Sequence, residues 1–326
     1  MEGALIAGRH AWLSTHLGPA GPRGTRLTSA YLHPIGAALI ADTRWAEDLH
    51  RVQEAPQLVR LDGIGQVFVG SGQGYCSRAA HSREVSDIAA TLAGELGLRQ
   101  ELAAAIGLAH DCGHPPLSHV GEAVIRAYWP EFHHSAYAAE VALVSLGLSP
   151  ETLAGVRRHP WSAHSSGSAE AEVVRWADRI AYLTRDHADA VTLGMVDEAA
   201  LPREIEAEIG TTYVEQREAL LRGVVQASLR TGSVCSEDST ALAMARLRQY
   251  NFDTFYTAPA VQSQAVVFAA AMVRALHRVA AAFGIKRSPA DAGPRLIHDL
   301  MTMNDAALLA YADESIVPFA LAGQVA

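Results

Sequence analysis

His110-Asp111-Cys112-Gly113-His114-Pro115-Pro116-Leu117-Ser118-His119-Val120-Gly121-Glu122 follows a segment, Glu101 to Asp111, in which Leu102, Ala105, Ile106 and Ala109 recur at helical spacing. Gly113 breaks that pattern, so His110 and Asp111 stand at a helix end. Adjacent helical residues point about 100° apart, so the pair can straddle one ion beside the helix end but cannot line a single face. The preceding segment, Arg83 to Leu98, carries Val85, Ile88, Ala89, Leu92 and Leu96 at the same period, with Gly97 at its stop. His81 begins this helix. In an antiparallel pair the start of one helix lies beside the end of the next, which brings His81 toward His110. Asp178, in the run Ala177-Asp178-Arg179-Ile180-Ala181-Tyr182, is the candidate fourth ligand. A His-Asp pair alone is as readily an ordinary polar pair; its combination with His81 and Asp178 carries the metal reading. Two imidazoles and two carboxylates make a borderline-hard donor set that suits Mn, Fe, Co, Ni, Zn or Mg and leaves positions for water. Such an ion lowers the pKa of bound water and neutralises charge on a phosphoryl oxygen.

Helical signals dominate elsewhere. Ser135 can cap a helix running to about Leu146, Ser149-Pro150 reads as N-cap and first helical position, Ala169 to about Leu193 forms one long helix, and Gln262 to Phe283 another, closed by Gly284. Strand signals are sparse. Gly65 to Val69 predicts a short strand or half of a hairpin turned by Gly70, Gly72 and Gly74; no helix opens after that G-x-G-x-G, which argues against a phosphate loop. Gly18 to Gly24 is a loop, and Ser162 to Ser168 a small-residue linker. The expected fold class is all-α, with at most a short β-hairpin. It divides into an N-terminal arm (1–44), a catalytic core (45–200) and a helical C-terminal extension (201–326) packed on that core.

The 326 residues are 49% apolar, enough for a sizeable core, and the formal charge is −9. A net-acidic chain disfavours bulk nucleic-acid binding but permits a small anionic substrate gripped by focused arginines. Lys286 is the only lysine, so phosphate contacts fall to Arg, His and backbone N–H groups. Cys76, Cys112 and Cys235 form no C-x-x-C pair and no disulfide framework. No signal peptide is evident after Met1-Glu2, and the apolar run from Ala265 to Val273 is interrupted by Arg274, too short to span a bilayer. A cytoplasmic protein with no membrane partner is expected.

Taken together, these residues resemble the HD-domain phosphohydrolases, and within them the deoxynucleoside triphosphate triphosphohydrolase (dGTPase-like) branch. Ser77-Arg78-Ala79-Ala80-His81-Ser82 is similar to that family's Thr-Arg-Leu-Thr-His-Ser, and HDCGHPPLSHVGE, from His110 to Glu122, to its HDLGHPPFGHAGE. Phe132-His133-His134-Ser135 resembles Phe-Glu-His-Asn, and Asp178 to Asp189 (DRIAYLTRDHAD) looks like the family's metal aspartate with its following Ile-Ala-Tyr and two further aspartates. Weaker echoes, including Gln66-Val67-Phe68 and Asn251-Phe252 with Tyr256, flank these.

The resemblance implies an HD-domain helical fold and hydrolysis of deoxynucleoside triphosphates to deoxynucleoside and inorganic triphosphate by metal-activated water. It implies one divalent metal, manganese first among the candidates, on His81, His110, Asp111 and Asp178. His119 would act as acid/base with Glu122 behind it, three residues on along the same helix face, and His134 beside them. His114 and His134 would contact phosphates, Arg78 and Arg179 match cationic positions of the substrate site, Tyr182 would stack near the sugar, Asp186 would accept from the 3′-hydroxyl and Gln66 would read sugar or base. Some members of the family form multimers, so a homo-oligomer is expected. Gln57-Leu58-Val59 stands before Arg60 where a double arginine is usual, Ile64-Gly65 where Lys-Thr is usual, and Cys112 where Leu or Ile is usual. These departures leave the metal set intact and bear on substrate. Two alternatives stay open: a nucleotidase acting on monophosphates, and a nucleotide sensor without turnover.

Overall fold

In a computed structural model the residues described are 43–68, 76–163, 166–285, 288–292 and 295–312. Ser77 is extended (φ −78°, ψ 160°) and its side chain accepts from the Ala80 N–H. It thereby caps the first turn of the helix Arg78–Glu95, which opens earlier than the apolar period alone suggests. Among the described residues two α-helices precede it, α1 (Arg44–Gln53) and α2 (Pro56–Arg60), so Arg78–Glu95 is called α3. Helix α4 (Gln100–Ala109) runs back against α3 after a turn at Gly97. Ser168 caps α8 (Ala169–Thr192) by accepting from the Ala171 N–H, and α8 lies across both. Between α4 and α8 come α5 (Ser118–Tyr128), α6 (His134–Tyr137) and α7 (Pro150–Arg158). Ser149 caps α7 as expected, its hydroxyl taking the Thr152 N–H.

The later helices are α9 (Arg203–Ile209), α10 (Tyr213–Thr231), α11 (Asp238–Asn251), α12 (Pro259–Ala282), α13 (Arg295–Leu300) and α14 (Asp305–Tyr311). One apolar core joins α1, α3, α4 and α8 to α10 and α11 through Ile88, Leu92, Ile106, Val174, Leu183, Leu220 and Leu247. A second joins α5 to α12, α13 and α14 through Val124, Ile125, Phe268, Met272, Leu296 and Leu308. Both clusters contain residues after 201, so helices from the late chain share the interior with the earlier ones. The fold is helical throughout the described residues.

Three expectations are revised. No strand forms among the described residues: 65–68 are irregular, with one isolated antiparallel bridge between Gly65 and Ser77, and the glycines at 70, 72 and 74 lie outside the described residues. Residues 1–42 of the expected N-terminal arm (1–44) also lie outside them. The helix expected from Ser135 to Leu146 is instead α6, a π turn at Ala138–Ala142 and a 3-10 turn at Val144–Leu146. Its cap is His133, whose side chain accepts from the Ser135 N–H; apolar spacing signals a helix but not its hydrogen-bond register. The helix that contains Ala265 to Val273 runs for 24 residues, long and apolar enough to cross a bilayer by length and composition alone. Its Phe268, Met272 and Leu276 are buried in the second cluster, which accounts for that apolarity.

Candidate active site

Helix ends build the site. His110 is the C-cap of α4, and its Nδ1 lies 2.7 Å from the Gly107 carbonyl, an acceptor only. Nδ1 therefore carries the proton and Nε2 the lone pair. That Nε2 is buried and makes no hydrogen bond. It faces Asp111 Oδ1 at 3.3 Å and Asp178 Oδ1 at 3.8 Å, and Asp178 Oδ1 is 3.0 Å from His81 Nε2. The antiparallel packing of α3 and α4 thus places the start of one beside the end of the other, with Asp178 of α8 closing the group. His81, His110 and Asp111 have donor atoms close enough together to hold one ion, as do His110, His159 and Asp178. An orphaned, buried imidazole lone pair aimed at two carboxylates fits a divalent cation.

Charges inside the group are correlated. Burial alone would raise the Asp111 carboxyl, but His110, Arg78 and His114 hold it well below its usual range. Burial likewise opposes Asp178, which His81 and His110 hold at about 2. Burial lowers His110 more than Asp111 and Asp178 restore it. On His81 the bond and charge of Asp178 outweigh burial and raise the pKa. Two ionised carboxylates with a neutral, deprotonated His110 are the ligand states a metal requires.

A second row of histidines faces the first. His114 stacks on His134 with ring centroids 3.9 Å apart, and its Nε2 is 3.3 Å from Asp111 Oδ1. Burial and the Arg78 charge push His114 well below its usual pKa. Glu122, fully buried on α5, accepts the His134 backbone N–H at 3.0 Å and lies 3.0 and 3.1 Å from His134 Nδ1. His119 Nδ1 is farther from it, 3.5 Å, so Glu122 is shared and its shorter bonds go to His134. Burial opposes ionisation of Glu122, yet His134 and His119 hold its pKa well below normal. Burial and then Arg78 lower His119, whose side chain keeps 31% exposure at the cavity.

The turn between the rows is tight. A Cβ on Gly121 would stand 2.0 Å from the Pro116 carbonyl, and one on Gly113 2.1 Å from the His134 carbonyl, so both motif glycines answer to close backbone approach. Leu117 and Ser118 both have left-handed backbones, φ 61° and 57°. Arg78 is buried; its Nε donates to Ser118 Oγ at 2.6 Å and its guanidinium pairs with Asp111, which ties the turn to the ligand set.

These groups open onto one cavity, partly open to solvent. Of the expected residues Gln66, Arg78, His81, Asp111, His114, His119, His134, Asp178, Tyr182 and Asp186 line it. His110 and Glu122 stand behind that wall. Arg179 is not among the lining residues; its guanidinium lies 4.6 Å from the ring centroid of Trp161, which does line the cavity. Asp186 accepts from Tyr256 Oη at 2.5 Å, and burial raises its carboxyl to about 7. Sequence reasoning missed His159 and Trp161. His159 is built like His110: it is the C-cap of α7, with Nδ1 2.8 Å from the Val156 carbonyl and Nε2 3.2 Å from His134 Nε2. A further histidine at a Ser-capped helix end between His134 and Asp178 was the available signal.

The HD domain family matches residues 78–183, the span from Arg78 into α8 that contains every candidate metal ligand. A deoxyguanosinetriphosphate triphosphohydrolase-like protein of Clostridium perfringens is 31% identical over 225 residues, covering 64% of this chain. The chain spans 66% of that relative's length. A protein of the same description from Desulfatibacillum aliphaticivorans is 31% identical over 244 residues, covering 69% of this chain and 70% of the relative. The crystal structure of a hypothetical protein from Aquifex aeolicus shares the fold at 18% identity, with a TM-score of 0.52 over 81% of this chain and 66% of that one. With the His-Asp helix end, the partner ligands on α3 and α8 and these likenesses together, the chain belongs to the deoxyguanosinetriphosphate triphosphohydrolase-like family of HD-domain proteins.

Proposed function

We propose that the chain hydrolyses deoxynucleoside triphosphates to deoxynucleoside and inorganic triphosphate at a site that holds one divalent metal. The observation that carries this reading is the orphaned Nε2 of His110, aimed at two ionised carboxylates on one wall of a cavity whose other wall is His114, His119 and His134. His81, His110, Asp111 and Asp178 would hold the ion, with manganese the first candidate. Bound there, it supplies a Lewis acid for a phosphoryl oxygen and a water of lowered pKa.

The remaining steps belong to the side chains. Arg78 is fixed by Asp111 and Ser118 and keeps a buried NH2 group without a hydrogen bond, which supports a phosphate contact. His114, neutral through burial, accepts or donates to phosphate according to its tautomer. His119 is held neutral in the resting protein; the negative charge of a polyphosphate beside it raises its proton affinity. Having taken a proton from solvent onto Nε2, it gives that proton to the departing 5′-oxygen, and Glu122 orients the ring through Nδ1. Asp186 meets the 3′-hydroxyl, Tyr182 packs beside the sugar and Gln66 supplies an amide for sugar or base. Arg179, over the Trp161 ring that lines the cavity, would add positive charge beside the phosphates.

The test is to purify the protein, add Mn²⁺, offer the four dNTPs separately and together, and identify the phosphate product. Inorganic triphosphate is expected. Orthophosphate released from monophosphates instead would assign a nucleotidase, and absence of product with every mixture would assign a sensor. The second proposed role is tested by His119→Ala, which abolishes turnover and spares metal content.

A further inference from the structure

Leu117 and Ser118, immediately before His119, are consecutive left-handed residues, and neither is glycine. L-residues avoid this conformation, because Cβ crowds the following carbonyl, and keep it only where surroundings over-determine it. The surroundings come from far along the chain. Asp305 Oδ1 accepts the Leu117 N–H at 2.6 Å, and its Oδ2 accepts the Gly65 N–H at 3.0 Å. Asp305 is 4% exposed and lies outside the span matched by the HD domain family. Neighbouring residues of the same segment are fixed too. Arg60 donates to the Met303 carbonyl at 3.1 Å and to the His114 carbonyl at 2.6 Å. Asn304 caps α14 and approaches Gly63 so closely that a Cβ there would meet its side chain at 2.6 Å.

We propose that Asp305 is a positioning residue: its carboxylate clamps the Leu117–Ser118 turn and so sets where His119 stands against the metal ligands. The link is short. Ser118 Oγ accepts from Arg78, Arg78 pairs with Asp111, and His119 is the next residue. A carboxylate suits the place because both neighbours are N–H donors and only an ionised acid offers an acceptor to each. The assignment of a consequence to catalysis rests on the hydrolytic reading above; the clamp itself does not.

The test is Asp305→Asn, which keeps the shape and one acceptor oxygen but turns an NH2 group toward one of the two N–H donors. Amide hydrogen exchange on the resting protein, read at Leu117 and Gly65, is expected to accelerate at least tenfold. With a dNTP substrate, kcat is expected to fall about tenfold, equivalent to about 1.4 kcal/mol in the barrier, while KM and Mn²⁺ stoichiometry stay unchanged. Gly63→Ala, which drives a Cβ into Asn304 and so shifts the segment that carries the Asp305 carboxylate, is expected to give the same split and decides the matter if Asp305→Asn does not fold. A lower thermal midpoint with unchanged kcat in the folded fraction would make Asp305 merely structural and overturn the proposal. So would unchanged exchange at Leu117. A chain inactive on every dNTP, yet showing accelerated exchange in the variant, would remove the hydrolytic reading alone and leave the clamp.

Discussion

Glu122→Gln probes the second row of histidines without touching a candidate metal ligand. The Glu122 carboxylate is fully buried and meets three donors: the His134 N–H, His134 Nδ1 and His119 Nδ1. Glutamine keeps one oxygen, which can still accept from the His134 backbone. Its NH2 group would then face His134 Nδ1–H, donor against donor at about the present 3.0 Å. His134 escapes by moving its proton to Nε2, where His159 Nε2 waits 3.2 Å away with its lone pair turned inward. One charge-assisted bond is lost outright, about 1.5–3 kcal/mol. If that loss falls on the reacting state, kcat drops roughly ten- to a hundredfold. The assay is steady-state release of inorganic triphosphate in Mn²⁺, with bound manganese counted on the same preparation. Turnover within twofold of the parent, at equal metal content, would refute the argument that Glu122 sets the state of these histidines.

Asp186→Asn tests the buried acid. Burial raises Asp186 to about 7, against about 3.9 in an unfolded chain, so the folded protein binds that proton more tightly and loses stability as pH rises from about 4 to 7. The variant keeps an acceptor for Tyr256 and should gain over the parent across this range, approaching about 4 kcal/mol above pH 7; denaturant melts at pH 5 and pH 8 that show the same difference would contradict it. Mn²⁺ at 100 times its Kd should stabilise the chelator-treated parent by about 2.7 kcal/mol, and His110→Ala should lose most of that response in thermal melts. Gly121→Ala drives a Cβ into the Pro116 carbonyl; a destabilisation of about 1–3 kcal/mol is expected, and a wild-type melting curve would show that the turn yields freely.

Much of the site was legible because it is local. His110-Asp111 at the end of an apolar-periodic helix and Ser149-Pro150 before α7 act within a few residues of themselves, and the structure places them accordingly. His81 stands beside His110, ring centroids 5.3 Å apart, as an antiparallel α3–α4 pair read from pattern and turn requires. The segment after Ser135 was harder: its apolar spacing is helical, but α, π and 3-10 turns share similar side-chain patterns and differ only in which carbonyl each N–H finds.

By itself the sequence determined an all-helical fold class and the donor types of a candidate metal site, because periodicity and caps are properties of short segments. Only the tertiary structure decided who partners whom: that Glu122 sits closer to His134 than to His119, that His159 joins the ring cluster, that Arg179 lies on Trp161, and that Asp305 reaches back to Leu117. A carboxylate's choice among nearby donors depends on distances of tenths of an ångström between elements far apart in the chain, and no spacing along one helix encodes those.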